Sequence, residues 1–252
     1  MIRNTLPRLV LAALAVPMAL GLASCGKKDG GGGAIGGDKI APIAAPAGKA
    51  WSDTIAKNAD GGYVMGNPNA PIKLVEYGSL SCPHCAKFAQ ESYDELVNQF
   101  VGSGRVSYEF RSFAIHPQDV PLTVLAQCGA DEAFFPLVHQ VYANFDAMNA
   151  PLGDPEVQKK AEAASSVPPP QRFVALADAL GYTQFFAQRG VSTDQAKACL
   201  LNPANAQRIA DNAQKYGDSG ITGTPTLMVN GTKVDGTEWP EVRKALMAAG
   251  AR

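Results

Sequence analysis

The stretch Tyr77-Gly-Ser-Leu-Ser-Cys-Pro-His-Cys-Ala-Lys-Phe88 sets two of the chain's five cysteines three residues apart, around a proline and a histidine. On its N-terminal side, Pro71-Ile-Lys-Leu-Val-Glu-Tyr77 is short, apolar and β-branched. It follows the turn-rich Gly66-Asn-Pro-Asn-Ala-Pro71, which predicts a buried strand. On its C-terminal side, Phe88, Tyr93, Leu96, Val97 and Phe100 recur at helical spacing until Gly102 and Gly104 stop the pattern. Arg105-Val-Ser-Tyr-Glu-Phe-Arg-Ser-Phe113 then alternates, with Val106, Tyr108 and Phe110 on one face, and reads as a second strand. Strand, helix and strand form a βαβ unit whose first connection carries Cys82 and Cys85.

A cysteine at a helix start lies beside unpaired backbone N–H groups and the positive end of the helix dipole, and both favour thiolate over thiol. Pro83 takes the first helical position, where its missing N–H is no loss. The thiolate is the species that attacks a disulfide, and Cys85, one turn on, is placed to close the ring and release the partner. The spacing therefore predicts that Cys82 attacks and Cys85 resolves. His84, between them, is expected to favour the Cys82 thiolate further through its imidazole N–H or its charge. A dithiol whose reduced form is favoured is an oxidant towards other proteins.

Strand, Ser-Leu-Ser-Cys82-Pro-His-Cys85 and helix together resemble the DsbA family of thiol:disulfide oxidoreductases, and the likeness runs from about Gly61 to Ala249. The resemblance implies an α/β thioredoxin fold with an inserted all-helical domain, and with it the family's low thiol pKa and oxidising poise. It also implies that Glu76, six residues before Cys82, is an acid beneath the active-site disulfide that exchanges a proton with Cys85. Gly223-Thr-Pro-Thr226 matches the family's cis-proline loop, so Thr224 and Pro225 are expected to face the two cysteines and offer backbone hydrogen bonds to an extended substrate. Threonine before this proline resembles isomerase-type and other branches, where the best-known oxidases have valine.

The helical part fits residues 116–216, where Pro121 to Ala130, Ala133 to Met148, Gln171 to Leu180, Thr183 to Arg189, Thr193 to Leu201 and Pro203 to Tyr216 read as helices. Pro168-Pro169-Pro170 reads as a spacer. Thr226 to Val229, Asn230-Gly231 and Thr232 to Val234 read as a hairpin, and Trp239 to Ala249 as a closing helix. Residues 51–115 and 217–252 thus form the thioredoxin-fold domain. Cys128 and Cys199 both fall in the helical part. They are expected to pair as a structural disulfide, as in some relatives, two buried free thiols being the alternative.

The N-terminus reads as an address. Arg3 and Arg8 bound a short basic region, and the apolar run that follows from Leu9 to Leu20 is too short to span a membrane. The run ends in Leu22-Ala23-Ser24-Cys25, which resembles the lipobox of bacterial lipoproteins. By that resemblance residues 1–24 are a signal peptide and Cys25 carries lipid, on the periplasmic side of a bacterial cell membrane, inner or outer. Residues 25–50, rich in Gly, Ala and Pro, read as a flexible tether.

The formal charge is −1 and becomes −3 without the two arginines of residues 1–24, which gives no footprint for nucleic acid. A Cys-x-x-Cys pair is also half of a zinc site. No second closely spaced pair accompanies it, and His116 and His139 stand alone, so no metal and no cofactor are expected. A copper-delivery protein of this fold is disfavoured by the spacing, and a redox-inactive peptide-binding module would not need two cysteines. The expected activity is disulfide transfer to exported proteins by a monomer, with reoxidation by a DsbB-like membrane protein. A reductase or isomerase of the same fold is the alternative.

Overall fold

The computed structural model describes Met1 and residues 35–252. The signal peptide, Cys25 and the first part of the expected tether lie outside the described residues. Six strands form one sheet: β1 (Ile55–Lys57), β2 (Tyr63–Gly66), β3 (Ile72–Gly78), β4 (Val106–Ser112), β5 (Thr226–Val229) and β6 (Thr232–Lys233), in the order β1-β2-β4-β3-β5-β6. Only β3 and β4 run parallel, joined by α1 (Pro83–Glu95), which continues as a wider turn through Val101. β3 lies in the centre, with Ile72 and Leu74 fully buried, as its apolar run requires. β5 pairs with it antiparallel, setting Leu227 opposite Glu76 and Thr226 opposite Tyr77.

Between β4 and β5 lie α2 (Asp119–Ala126), α3 (Phe134–Ala143), α4 (Phe145–Asn149), α5 (Pro155–Ser165), α6 (Gln171–Ala179), α7 (Tyr182–Ala187), α8 (Thr193–Leu201) and α9 (Pro203–Asp218). α10 (Trp239–Leu246) follows β6. This is the expected thioredoxin fold with a helical insert. The insert shares the sheet's core: Cys85 and Phe88 of α1, Phe110 of β4, Phe134, Phe135 and Tyr142 of α3, and Phe186 of α7 belong to one buried cluster. Tyr63 stacks on Phe134 at 3.9 Å, and Phe135 lies 5.2 Å from Tyr108, so α3 is packed directly on the sheet.

The structure departs from the sequence reading at four places. β1 and β2 were not expected, and neither was α5. α5 is capped by Asp154, whose carboxylate accepts from Glu156 N at 2.8 Å, and it starts on Pro155, but it buries only Ala164 and so has no apolar stripe. The helix expected over Ala133 to Met148 breaks at Asn144 into α3 and α4.

The fourth departure corrects the tether. Residues 25–50 were expected to be a flexible tether, and of these Ile35 to Ile43 instead lie against the domain: Ile40 N donates to Gly250 O at 2.9 Å and Ile43 N to Ser103 O at 2.8 Å. Trp51 Nε1 donates to Ile43 O, and Arg252 reaches Gly37 O. Composition misled here because backbone groups and the side chains of Ile35 and Ile40, not a regular pattern, hold the segment. A Cβ on Gly250, at φ +115°, would come within 2.3 Å of Asp38 O, so this close approach needs a glycine.

Candidate active site

β3 ends at Gly78, and a turn through Ser79, Leu80 and Ser81 delivers the chain to α1. Cys82 is the N-cap with extended backbone (φ −88°, ψ 122°), and Pro83 opens the helix. Cys82 is 4 % exposed, its sulfur the rim of the site. Four groups favour its thiolate: foremost the Cys85 thiol, which donates to it, then the Thr224 hydroxyl and the backbone N–H groups of Cys85 and His84. Against the opposing effect of burial they bring Cys82 down to about 5. Both cysteines are free, so the structure describes the dithiol form.

The loop before β5 faces this sulfur. Cys82 Sγ lies 3.3 Å from Thr224 O, and the Thr224–Pro225 bond is cis. Thr224 Oγ1 is buried and has no hydrogen-bond partner, which leaves its O–H free to turn towards the Cys82 sulfur. Beside the loop, residues 222–227 and 233–237 line a surface cavity of about 470 Å³. The sequence thus brings Thr224 and Pro225 to Cys82 across 142 residues. The Pro169–Pro170 bond, within the expected spacer, is cis as well.

Beneath the helix, Cys85 is fully buried, and burial raises its thiol well above the ordinary range, reinforced by its hydrogen bond to Cys82 and the charge of Glu76. Glu76 is also fully buried and pushed up to about 8, chiefly by burial. Lys73, on the same strand, does not pair with Glu76 and donates to Pro68 O at 2.7 Å. One carboxyl oxygen of Glu76 accepts from Tyr108 O–H; the other has no partner. A group that titrates near neutrality, next to a thiol that resists ionisation, can take a proton from it or give one back. Tyr108 and Tyr142, both buried, complete the floor; Tyr142 O–H donates to Ser79 O at 3.0 Å.

His84 is placed differently from expectation. Its side chain is exposed, and what it contributes to Cys82 is its backbone N–H, because the second helical position projects the imidazole outward. Its charge is felt by Glu238 on the surface. The sequence reading missed the groups holding the turn. Asp119, fully buried, accepts from Ser79 Oγ and Ser81 N, each at 2.9 Å, and from Ile115 N and His116 N. The available signal was an acid just inside a helix start, three residues after His116. His116 Nδ1 meets Ser81 Oγ at 2.8 Å. Cys128 and Cys199 are bonded to each other, remote from this site in α2's C-terminal turn and α8. Among the described residues no three His, Cys, Asp or Glu side chains stand close enough to hold a metal ion.

Comparison with known proteins agrees with this arrangement. A family model described as thioredoxin matches residues 58–248. A Rickettsia conorii protein, provisionally named a protein-disulfide oxidoreductase, is 28 % identical over 181 residues, 69 % of this chain and 55 % of that one. The chain thus spans little more than half the length of that curated relative. A solved structure titled protein-disulfide isomerase, from Novosphingobium aromaticivorans, superposes with a TM-score of 0.70 at 28 % identity, covering 76 % of this chain and 98 % of the other. Alpha-DsbA1 of Wolbachia pipientis shares the fold with a TM-score of 0.59 at 20 % identity, over 74 % and 90 % of the two chains. The chain belongs to the thioredoxin family, and its helical insert gives it the DsbA-like form of that fold.

Proposed function

We propose that this protein is an exported thiol:disulfide oxidoreductase that donates the Cys82–Cys85 disulfide to folding proteins. The observation that carries the reading is the asymmetry of the two sulfurs: Cys82 is favoured as a thiolate and Cys85 is held protonated beside Glu76. In the oxidised form a substrate thiolate attacks Cys82 Sγ, the Cys82–Cys85 bond breaks, and Cys85 leaves with its electron pair and takes a proton from Glu76. A second substrate thiolate then attacks the substrate sulfur of the mixed disulfide, and Cys82 departs as the stabilised thiolate. The substrate gains a disulfide and the protein gains two electrons. The backbone at Thr224 and Pro225 and the cavity beside them suit an extended substrate segment.

Export and lipid anchoring through Cys25 rest on the lipobox-like sequence, and the Cys128–Cys199 bond fits an oxidising compartment. A DsbB-like membrane protein would return the dithiol to the disulfide, and the domain would act as a monomer. The isomerase title of the Novosphingobium structure and Thr224 favour a second reading, in which the dithiol reshuffles or reduces bonds. Equilibration with glutathione, together with the thiol titration of Cys82, separates the two. Oxidation of substrate requires a dithiol favoured over its disulfide and Cys82 titrating several units below an ordinary thiol; a strongly reducing equilibrium overturns it in favour of a reductase.

A further inference from the structure

We propose that Asp119 is a positioning residue for thiol exchange, its carboxylate clamping the turn 79–81 that sets both sulfurs; the inference rests on the oxidoreductase reading above. Asp119 is fully buried, and among the described residues no lysine or arginine forms an ion pair with it. The basic group near its charge among the described residues is His116, half exposed, with Nδ1 4.0 Å away; the buried Tyr142 and Tyr182 also feel the charge and can add none of opposite sign. A buried carboxylate without a cation is held only by hydrogen-bond donors, and leaving one unpaired is costly. Four donors supply it. Ser79 Oγ reaches both oxygens at 2.9 Å, Ser81 N lies at 2.9 Å, Ile115 N at 2.9 Å and His116 N at 3.0 Å.

These donors come from two places: the turn leading into α1 and the segment leading into α2. One side chain therefore ties the connection that carries Cys82 to the start of the helical insert. The same turn touches the Cys82 backbone and the Cys85 sulfur. Ser79 O accepts from Cys82 N at 3.2 Å and from Tyr142 O–H at 3.0 Å, and the Ser79 backbone lends a hydrogen bond to the Cys85 sulfur. Ser81 is the residue before Cys82, and its hydroxyl meets His116 at 2.8 Å. A carboxamide at position 119 would offer one accepting oxygen and turn its NH₂ towards N–H donors, so the turn would have to move.

α2 provides its own control. Thr123, one turn after Asp119 and as deeply buried, bonds Ser112 Oγ at 2.6 Å and ties α2 to β4 without touching the turn. In the full chain, D119N and T123V are both expected to lower the thermal midpoint. Only D119N is expected to raise the midpoint of Cys82 titration, followed by thiolate ultraviolet absorbance, and to slow attack of the reduced protein on a small aromatic disulfide about tenfold at neutral pH. Should D119N fail to fold, S79A removes one donor and is expected to shift the titration in the same direction by a smaller amount. Asp119 is a structural residue alone, and the proposal fails, if D119N or S79A lowers stability and leaves the titration where T123V leaves it. The wild-type attack rate tests the oxidoreductase reading separately: a rate no faster than a free peptide thiol's defeats that reading, while the titration still reports on Asp119.

Discussion

Cys82 and Cys85 stand three residues apart at a helix start, whereas Cys128 and Cys199 stand 71 apart in the insert and are joined. Both pairs border one hydrophobic cluster, so burial does not distinguish them. What differs is whether hydrogen-bond donors are turned towards the sulfur. Cys82 has a carbonyl beside it too, Thr224 O at 3.3 Å, but it is also met by a thiol, a hydroxyl and two backbone N–H groups, all able to donate to an anion. Cys128 Sγ lies 3.3 Å from Gln195 O, and Cys199 Sγ lies 3.8 Å from Cys128 O, while Gln195 Nε2 donates to that same Cys128 carbonyl at 2.7 Å. Carbonyl oxygens repel a thiolate. At Cys82 the donors outweigh the one carbonyl and make a sulfur that leaves easily; among the described residues the sulfurs of Cys128 and Cys199 have the carbonyls without the donors.

The largest expected effect comes from exchanging the two pairs as targets of mutation. C82S is expected to lose exchange with a reduced, unfolded substrate by on the order of 10³-fold or more. The double variant C128S/C199S is expected to keep the rate within about twofold but to lose about 2–4 kcal/mol of unfolding free energy, since it opens a long loop in the unfolded chain. Rates by stopped-flow fluorescence and stability by urea unfolding check both. Equal equilibration of the two pairs with glutathione would break the comparison outright.

Next in size is the floor of the site. E76Q removes the one carboxyl beside Cys85 and is expected to slow the step in which Cys85 exchanges its proton by about 10- to 100-fold. Y108F keeps the acid and removes the hydrogen bond that favours its charged form. It should therefore move Glu76 above about 8 and carry the pH profile of that step to higher pH. In an E76Q background Y108F should leave the profile unchanged, which separates tuning of the acid from loss of packing.

Stability of the reduced form gives a third test, because its two perturbed acids act with opposite sign. Cys82, lowered from 9.0 to about 5, binds fewer protons folded than unfolded over that range, so its contribution grows as pH rises from 5 to 9 and is lost as pH falls through 5. Glu76, raised from 4.5 to about 8, binds more protons folded, so its contribution is complete below 4.5 and is lost as pH rises to 8. The two slopes oppose each other between pH 5 and 8. E76Q should unmask a reduced protein that becomes more stable with rising pH, and C82S one that becomes less stable. Urea midpoints across this range read the sign directly.

The legible part of the molecule was the part governed by local pattern. The run before Tyr77, the periodicity after Phe88 and the alternation from Val106 placed β3, α1 and β4, and Cys82-Pro-His-Cys85 placed the chemistry between them. Asn230-Gly231 placed the β5–β6 hairpin. β1 and β2 escaped because strands of three and four residues carry too little alternation; β2 is held by pairing with β4, Tyr63 opposite Phe110, and β1 by pairing with β2. α5 escaped because it buries a single alanine. In the site, Glu76 and the Thr224–Pro225 loop were found through resemblance, while Asp119 and Tyr108 were not: nothing local in a sequence shows which acid will be met by distant N–H groups. His84 shows the converse, a residue in the right place whose backbone N–H, not its side chain, faces the sulfur.

The smallest effect sharpens the comparison most finely, since it removes a single donor and leaves the others. T224V keeps the shape of the side chain and deletes a buried hydroxyl that has no hydrogen-bond partner and is free to turn towards the Cys82 thiolate. One hydrogen bond to a partly buried anion contributes about 0.5–1.5 kcal/mol net, so the balance between dithiol and disulfide should shift about 2- to 10-fold towards the disulfide. Cys82 should titrate above about 5 in the variant, and the protein should be a weaker oxidant. The contact between Cys82 Sγ and Thr224 O uses the backbone and should survive the change, so peptide binding beside Pro225 is expected to hold while the redox equilibrium moves. If the equilibrium with glutathione does not move at all, the donors that matter are those of the helix start and of Cys85 alone, and the contrast between the two cysteine pairs then reduces to their position on a helix.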